Sequence, residues 1–156
     1  MQQPFSLQGR VALITGGGTG IGFDIAKCFL ASGATVIITG RREDVLKEAV
    51  ANLGAGAHFD VNDVADLSLT SQLVKGLVAQ YGAIDILVNN AGISQRARAS
   101  QASFESEKHI MQVNFFGPVY LTKLLFPHFA PQAGIIITIS VVGLFGFPKR
   151  STYSAS

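Results

Sequence analysis

The sequence is poor in cysteine. Cys28 is the only one among 156 residues, so neither an internal disulfide nor a multi-cysteine metal site is possible. Its spacing with Ile21, Ile25 and Phe29 predicts an apolar helical face, with Cys28 packed into a core. Charge is also scarce: 14% of residues are charged and the formal net charge is only +2, too little to argue for a nucleic-acid surface. The apolar stretch from Gly134 to Phe147 is interrupted by Thr138, Ser140 and further glycines, which makes it too short and broken to span a membrane. Met1 to Gly9 has no basic start followed by a long apolar region, so it does not read as a signal peptide. There are no repeats, low-complexity tracts or charge blocks, and the three histidines, His58, His109 and His128, lack metal-ligand spacing. These absences leave an intracellular, cytoplasmic protein as the expectation. What is abundant is apolar residues, 48% of the chain, enough for one domain that buries about 68–70% of its unfolded surface.

The apolar residues are arranged as an alternation of strands and helices. Arg10 to Ile14 reads as a buried strand, followed by Thr15-Gly16-Gly17-Gly18-Thr19-Gly20-Ile21-Gly22 and then a helix. That order makes a phosphate cradle. Gly16 permits a sharp turn, Gly20 lets a pyrophosphate approach the backbone, and Gly22 lets the helix pack closely on the strand. The first amides of the helix lack intrahelical partners and point at the anion. Further strands are expected at 35–39, 58–60, 84–88 and 135–140. Helices are expected at 42–53, after Asp63 or Asp66, and from Phe104 toward Phe129, with a kink at Gly117-Pro118. Strands alternating with helices imply an α/β, Rossmann-type, doubly wound parallel sheet in the order 3-2-1-4-5, in a single domain over 1–156. Ligands then bind beyond the carboxyl ends of the strands.

Five elements in order resemble the short-chain dehydrogenase/reductase family: Thr15-Gly16-x-x-x-Gly20-x-Gly22, Asn89-Asn90-Ala91-Gly92, Asn114, Ser140 and Tyr153, the last two thirteen positions apart. The resemblance implies a dinucleotide held by Gly16, Gly18, Thr19, Gly20, Ile21 and Gly22. It also places Asp60 and Val61 beside the adenine, and Asn90, Ala91 and Gly92 behind the ribose. Asn89 is expected to tie the fourth strand to the glycine turn. The resemblance implies hydride transfer between nicotinamide and a carbonyl or secondary alcohol, with Tyr153 as general acid/base, Ser140 polarising the oxygen, and Asn114 holding a relay water at a local helix irregularity. A small-molecule ketone or alcohol is the expected partner, with Phe145 and Phe147 hinting at an apolar wall.

Arg41 and Arg42 point to NADP(H) rather than NAD(H). An NAD-binding chain usually carries an acidic residue after the second strand for the ribose 2′-hydroxyl. Here two arginines open the following helix, where cations oppose the macrodipole, and a 2′-phosphate would account for them. The family's Tyr-x-x-x-Lys pattern would place its lysine immediately after Ser156. By resemblance the sequence is therefore an N-terminal part, with the later strands and substrate cover absent. Two readings follow: an oxidoreductase as the parent protein, and a non-catalytic dinucleotide-binding module. Uncovered apolar surface implies a homo-oligomer.

Overall fold

The computed structural model describes residues 6–98, 100–138, 140, 143 and 149–156. Five strands form one parallel sheet in the order β3-β2-β1-β4-β5. They are β1 (Val11–Thr15), β2 (Thr35–Gly40), β3 (Ala57–Val61), β4 (Ile84–Asn89) and β5 (Phe129–Ile137). The helices that connect them are α1 (Gly20–Ala31), α2 (Glu43–Leu53), α3 (Leu67–Tyr81), α4 (Phe104–Met111) and α5 (Gly117–Leu125). A short α6 (Ser151–Ala155) follows β5.

Strand periodicity divides the core in two. Ala12 and Ile14 of β1 face one side with Val36, Ile38, Ala26, Leu46 and Ala49. Leu13 faces the other with Ile37, Leu87, Leu73, Leu77, Leu121 and Leu125. Burying each leucine or isoleucine contributes about 1.5–3 kcal/mol, and both faces of β1 do so. That explains why β1 reads as a continuous apolar run rather than an alternating one.

The buried face of α1 is narrower than its apolar spacing suggests. Gly22 and Ala26 are its buried residues. Cys28 is exposed, not in the core, and Ile21 is 64% exposed. Small residues bring α1 down onto the sheet, so the line of contact runs along Gly22 and Ala26.

The expected long helix is four successive segments. Between α4 and α5 the chain forms one π-helical turn, Gln112–Phe116, and α5 ends in a 3-10 turn, Phe126–His128. The irregularity lies one turn ahead of Gly117-Pro118. Pro118 has no amide to bond the carbonyl of Asn114 four residues back, so its effect on the helix appears there. Accordingly the Gly117 amide bonds Gln112, five residues back. Gly117 itself is needed for close packing, since a Cβ there would lie 2.6 Å from the Val64 carbonyl oxygen.

β5 begins at Phe129, six residues before its expected start, and ends at Ile137. Its pairing with β4 is irregular: Ile84 opposes Phe129, but Ile86 opposes Gly134. Gln132, at φ 69°, lies in the extra length. Ile135, Ile136 and Ile137 are exposed. Among the described residues, no helix is long and apolar enough to cross a membrane.

Candidate functional site

The carboxyl ends of the strands open into two adjoining clefts. The first, about 270 Å³, is walled by Gly16, Gly18 and Thr19, by Thr39 to Arg42, by Asn62 to Val64, and by Asn90 to Ile93. The second, about 600 Å³, is walled by Ile21, Asn89 to Ser94, Asn114, Pro118, Ile137, Thr138, Ser140, Gly143, Tyr153, Ser154 and Ser156. Residues 90–93 line both, so the two form one continuous trough across the sheet's topological switch point.

The glycine turn has the shape of an anion cradle. Gly16 and Gly20 have φ of +65° and +56°, which favour glycine. A Cβ on Gly16 would lie 2.9 Å from the Ala91 Cα, whereas one on Gly20 would meet nothing within 4 Å. Gly20 thus faces open space. Thr19 caps α1 in an extended conformation but makes no side-chain cap bond, and the first turn carries no acid. The amides at the start of α1 are therefore available to an anion. Gly22 serves packing: a Cβ there would lie 2.5 Å from the Gly16 carbonyl oxygen and 2.6 Å from the Asn90 amide nitrogen.

Thr15 and Asn90 hold β1 to the end of β4. The buried Thr15 hydroxyl accepts hydrogen bonds from the Asn90 and Ala91 amides at 3.0 and 2.9 Å. The Asn90 side chain donates to the carbonyls of Thr15 and Gly16 at 3.0 and 3.2 Å. The tie to the glycine turn is thus made by Asn90, not Asn89. The Asn89 side chain points to the opposite face and donates to the Thr122 hydroxyl at 3.2 Å. Strand parity explains the exchange, because neighbouring residues face opposite ways.

Asp60 and Val61 do not line either cleft. Asp60 stands at the α3 side of β3. Desolvation raises its carboxyl above the ordinary aspartate value, and its charge helps raise the Tyr81 phenol, whose main cause is burial. The cleft wall continues instead through Asn62, Asp63 and Val64, where the chain leaves β3. Asp63-Val64 repeats the Asp-Val pair three residues later, one residue short of the α3 cap, Asp66. That repeat is the signal by which the sequence could have pointed to them.

Two buried polar atoms in the first cleft's wall lack hydrogen-bond partners among the described residues: the Thr39 hydroxyl and the Asn62 side-chain nitrogen. Arg41 and Arg42 are exposed beside them and make no ion pair among the described residues, whereas Glu43 is taken by Lys47 at 2.8 Å. Orphaned donors, a glycine cradle and two unpaired guanidinium groups fit a nucleotide with more than one phosphate group.

Asn114, Ser140 and Tyr153 come together in the second cleft. Asn114 lies in the π turn. Its side chain accepts from the Ile93 amide and donates to the Ile93 carbonyl, both at 2.9 Å. It also donates to the Ser156 hydroxyl at 2.9 Å, and Ser156 in turn donates to the Tyr153 carbonyl at 3.0 Å. One asparagine thus joins the loop after β4 to the short helix that carries Tyr153. A bond of 3.0 Å from Thr152 to Glu107 fixes the same helix to α4. The guanidinium of Arg150 lies 5.6 Å from the centre of the Tyr153 ring. Phe145 and Phe147 lie outside the described residues.

The model of the short chain dehydrogenase family matches residues 10–156. The chain belongs to the short-chain dehydrogenase family. Dehydrogenase/reductase SDR family member 7B of Xenopus laevis is 35% identical over 161 residues, covering 96% of this chain and 50% of that protein. Dehydrogenase/reductase SDR family protein 7-like of Anopheles gambiae is 40% identical over 161 residues, with 96% and 50% covered. The chain spans about half the length of these curated relatives. Among solved structures, a short-chain dehydrogenase/reductase of Brucella melitensis described as a glucose/ribitol dehydrogenase superposes with a TM-score of 0.93 at 27% identity, covering 98% of this chain and 66% of that one. The 3-ketoacyl-(acyl-carrier-protein) reductase of Brucella melitensis, solved with NADH, gives 0.91 at 32% identity, covering 96% and 64%. The five-stranded order found here is that of the short-chain dehydrogenase fold.

Proposed function

We propose that the protein is an NADP(H)-dependent oxidoreductase that moves a hydride between nicotinamide and a carbonyl or secondary alcohol carbon. The observation that carries this reading is the trough itself, with a phosphate cradle and free arginines at one end and Asn114, Ser140 and Tyr153 at the other. A dinucleotide laid along it has its pyrophosphate at the start of α1 and its adenine edge against Asp63 and Val64. Its 2′-phosphate lies at Arg41 and Arg42, and its ribose against Asn90, Ala91 and Gly92.

The bound dinucleotide supplies or accepts the hydride. The chain's own residues manage the oxygen. Tyr153 donates a proton to it during reduction and recovers that proton during oxidation. Ser140 donates a hydrogen bond to the same oxygen and stabilises charge growing there. Asn114 holds Ile93 on one side and, through Ser156, the Tyr153 helix on the other, which keeps the donor in place.

NADPH oxidation with a panel of ketones tests the reading. The protein should oxidise NADPH only with a ketone present, and Tyr153→Phe should lower the rate by about 10²-fold or more while NADPH still binds. Full activity in Tyr153→Phe would remove Tyr153 from the chemistry.

A further inference from the structure

Next to Ser94 in the wall of the second cleft lies a concentration of positive charge that the hydride-transfer reading does not use. Of the chain's 12 lysines and arginines, four lie in two short stretches, Arg96 with Arg98 and Lys149 with Arg150. The fold places these stretches side by side, with the Ala97 amide donating to the Lys149 carbonyl at 3.0 Å. Exposure alternates along the first stretch. Ser94, Arg96 and Arg98 are exposed, while Gln95 and Ala97 are less so. Ser94 lines the cleft, and Arg96 and Arg98 follow it two and four residues on, where the chain leaves the cleft wall. Arg150 donates to the Ser94 hydroxyl at 2.5 Å, which brings the second stretch to the same part of the wall.

Among the described residues, none of these four cations has a carboxylate partner. The ion pairs among the described residues are Arg10–Asp85, Lys47–Glu43 and Lys108–Glu105. The packed neighbour α4 offers Glu105 and Glu107, but Glu105 is held by Lys108, and Glu107 accepts from Thr152. Arg41 and Arg42 line the other cleft, so a cofactor phosphate there leaves this charge unanswered.

We propose that the substrate carries an anionic group, carboxylate or phosphate, that Arg96, Arg98 and Lys149 pair beside the cleft wall while its carbonyl lies inside by Tyr153. The inference rests on the proposed function, since it assigns the second cleft to substrate. Exposed ion pairs are individually weak and screened by salt, so the effect is a preference rather than an absolute requirement.

The test uses the protein saturated with NADPH, with decanoate and 1-decanol as probes titrated by calorimetry. Decanoate should bind about 3- to 10-fold more tightly at low salt. The preference should vanish at high salt and in Arg96→Gln/Arg98→Gln, and persist in Arg96→Lys/Arg98→Lys. Equal binding, no binding of either probe, or a preference untouched by the glutamine variant would overturn the inference. Failure of NADPH itself to bind would instead defeat the proposed function and this inference with it.

Discussion

The side-chain amide of Asn90 spans the gap between the end of β4 and the glycine turn, donating to the Thr15 and Gly16 carbonyls at 3.0 and 3.2 Å. Those carbonyls begin the turn that faces the anion, so the cradle's shape depends on a residue 75 positions away from Thr15. Asn90→Ala removes both part-buried bonds. It should cost about 1–3 kcal/mol, read as a lower denaturant midpoint, and weaken NADPH binding. Replacement by aspartate, which cannot donate to either carbonyl, should be no better.

Gly22 permits that reach. An alanine there would put its Cβ 2.5 Å from the Gly16 carbonyl and 2.6 Å from the Asn90 nitrogen. Backbone must shift to admit it, and Gly22→Ala should destabilise by about 1–3 kcal/mol. Gly76, in α3, is the contrasting case. A Cβ there meets nothing within 4 Å, and the residue is exposed in a helix interior. Gly76→Ala should stabilise by about 0.5–1 kcal/mol through helix propensity. Thermal or chemical unfolding of the two variants checks the opposite signs.

Acid should weaken the fold partly through Asp66. Its carboxylate caps α3, accepting from the Ser68 and Leu69 amides at 2.9 and 3.1 Å and from the Ser68 hydroxyl at 2.8 Å. Those bonds, led by the Ser68 side chain, hold its pKa below the ordinary aspartate value. A depressed folded pKa stabilises above the unfolded value, near ~3.9, and that contribution is lost as pH falls through the folded one. Asp60 has the opposite sign: its raised pKa disfavours the fold at neutral pH and is relieved as pH falls through that raised value. Asp66→Ala should therefore lower the unfolding midpoint at neutral pH and narrow its drop on acidification. Asp60→Asn should raise the midpoint at neutral pH.

The sheet was legible because its central strands are apolar on both faces and its helices are amphipathic; β1 to β4 fall within a residue of the runs at 10–14, 35–39, 58–60 and 84–88. The start of β5 was not, since the apolar run opens only at Ile135, yet the chain already pairs with β4 at Phe129, with Pro131 and Gln132 between the two paired stretches. Cys28 shows the limit of apolar spacing when small residues, Gly22 and Ala26, set the line of contact. In the site, residue types were easier to read than their directions. Asn89 and Asn90 are chemically identical and face opposite sides, which only the strand's pleat decides. Asp60-Val61 and Asp63-Val64 are identical pairs, and the one that reaches the cleft is the one past the end of β3. The π turn had a sequence signal in Pro118, whose missing amide acts four residues back at Asn114.

Calorimetric titration with NADPH and NADH, in the natural protein and in Arg41→Ala/Arg42→Ala, tests the central claim most directly. The 2′-phosphate pairing predicts NADPH binding at least about 10-fold tighter than NADH, since charge-assisted bonds to arginine contribute more than neutral ones. The double variant should lose that difference while NADH binding stays the same. Equal affinity for the two nucleotides in the natural protein, or an NADPH preference that survives loss of both arginines, would contradict it.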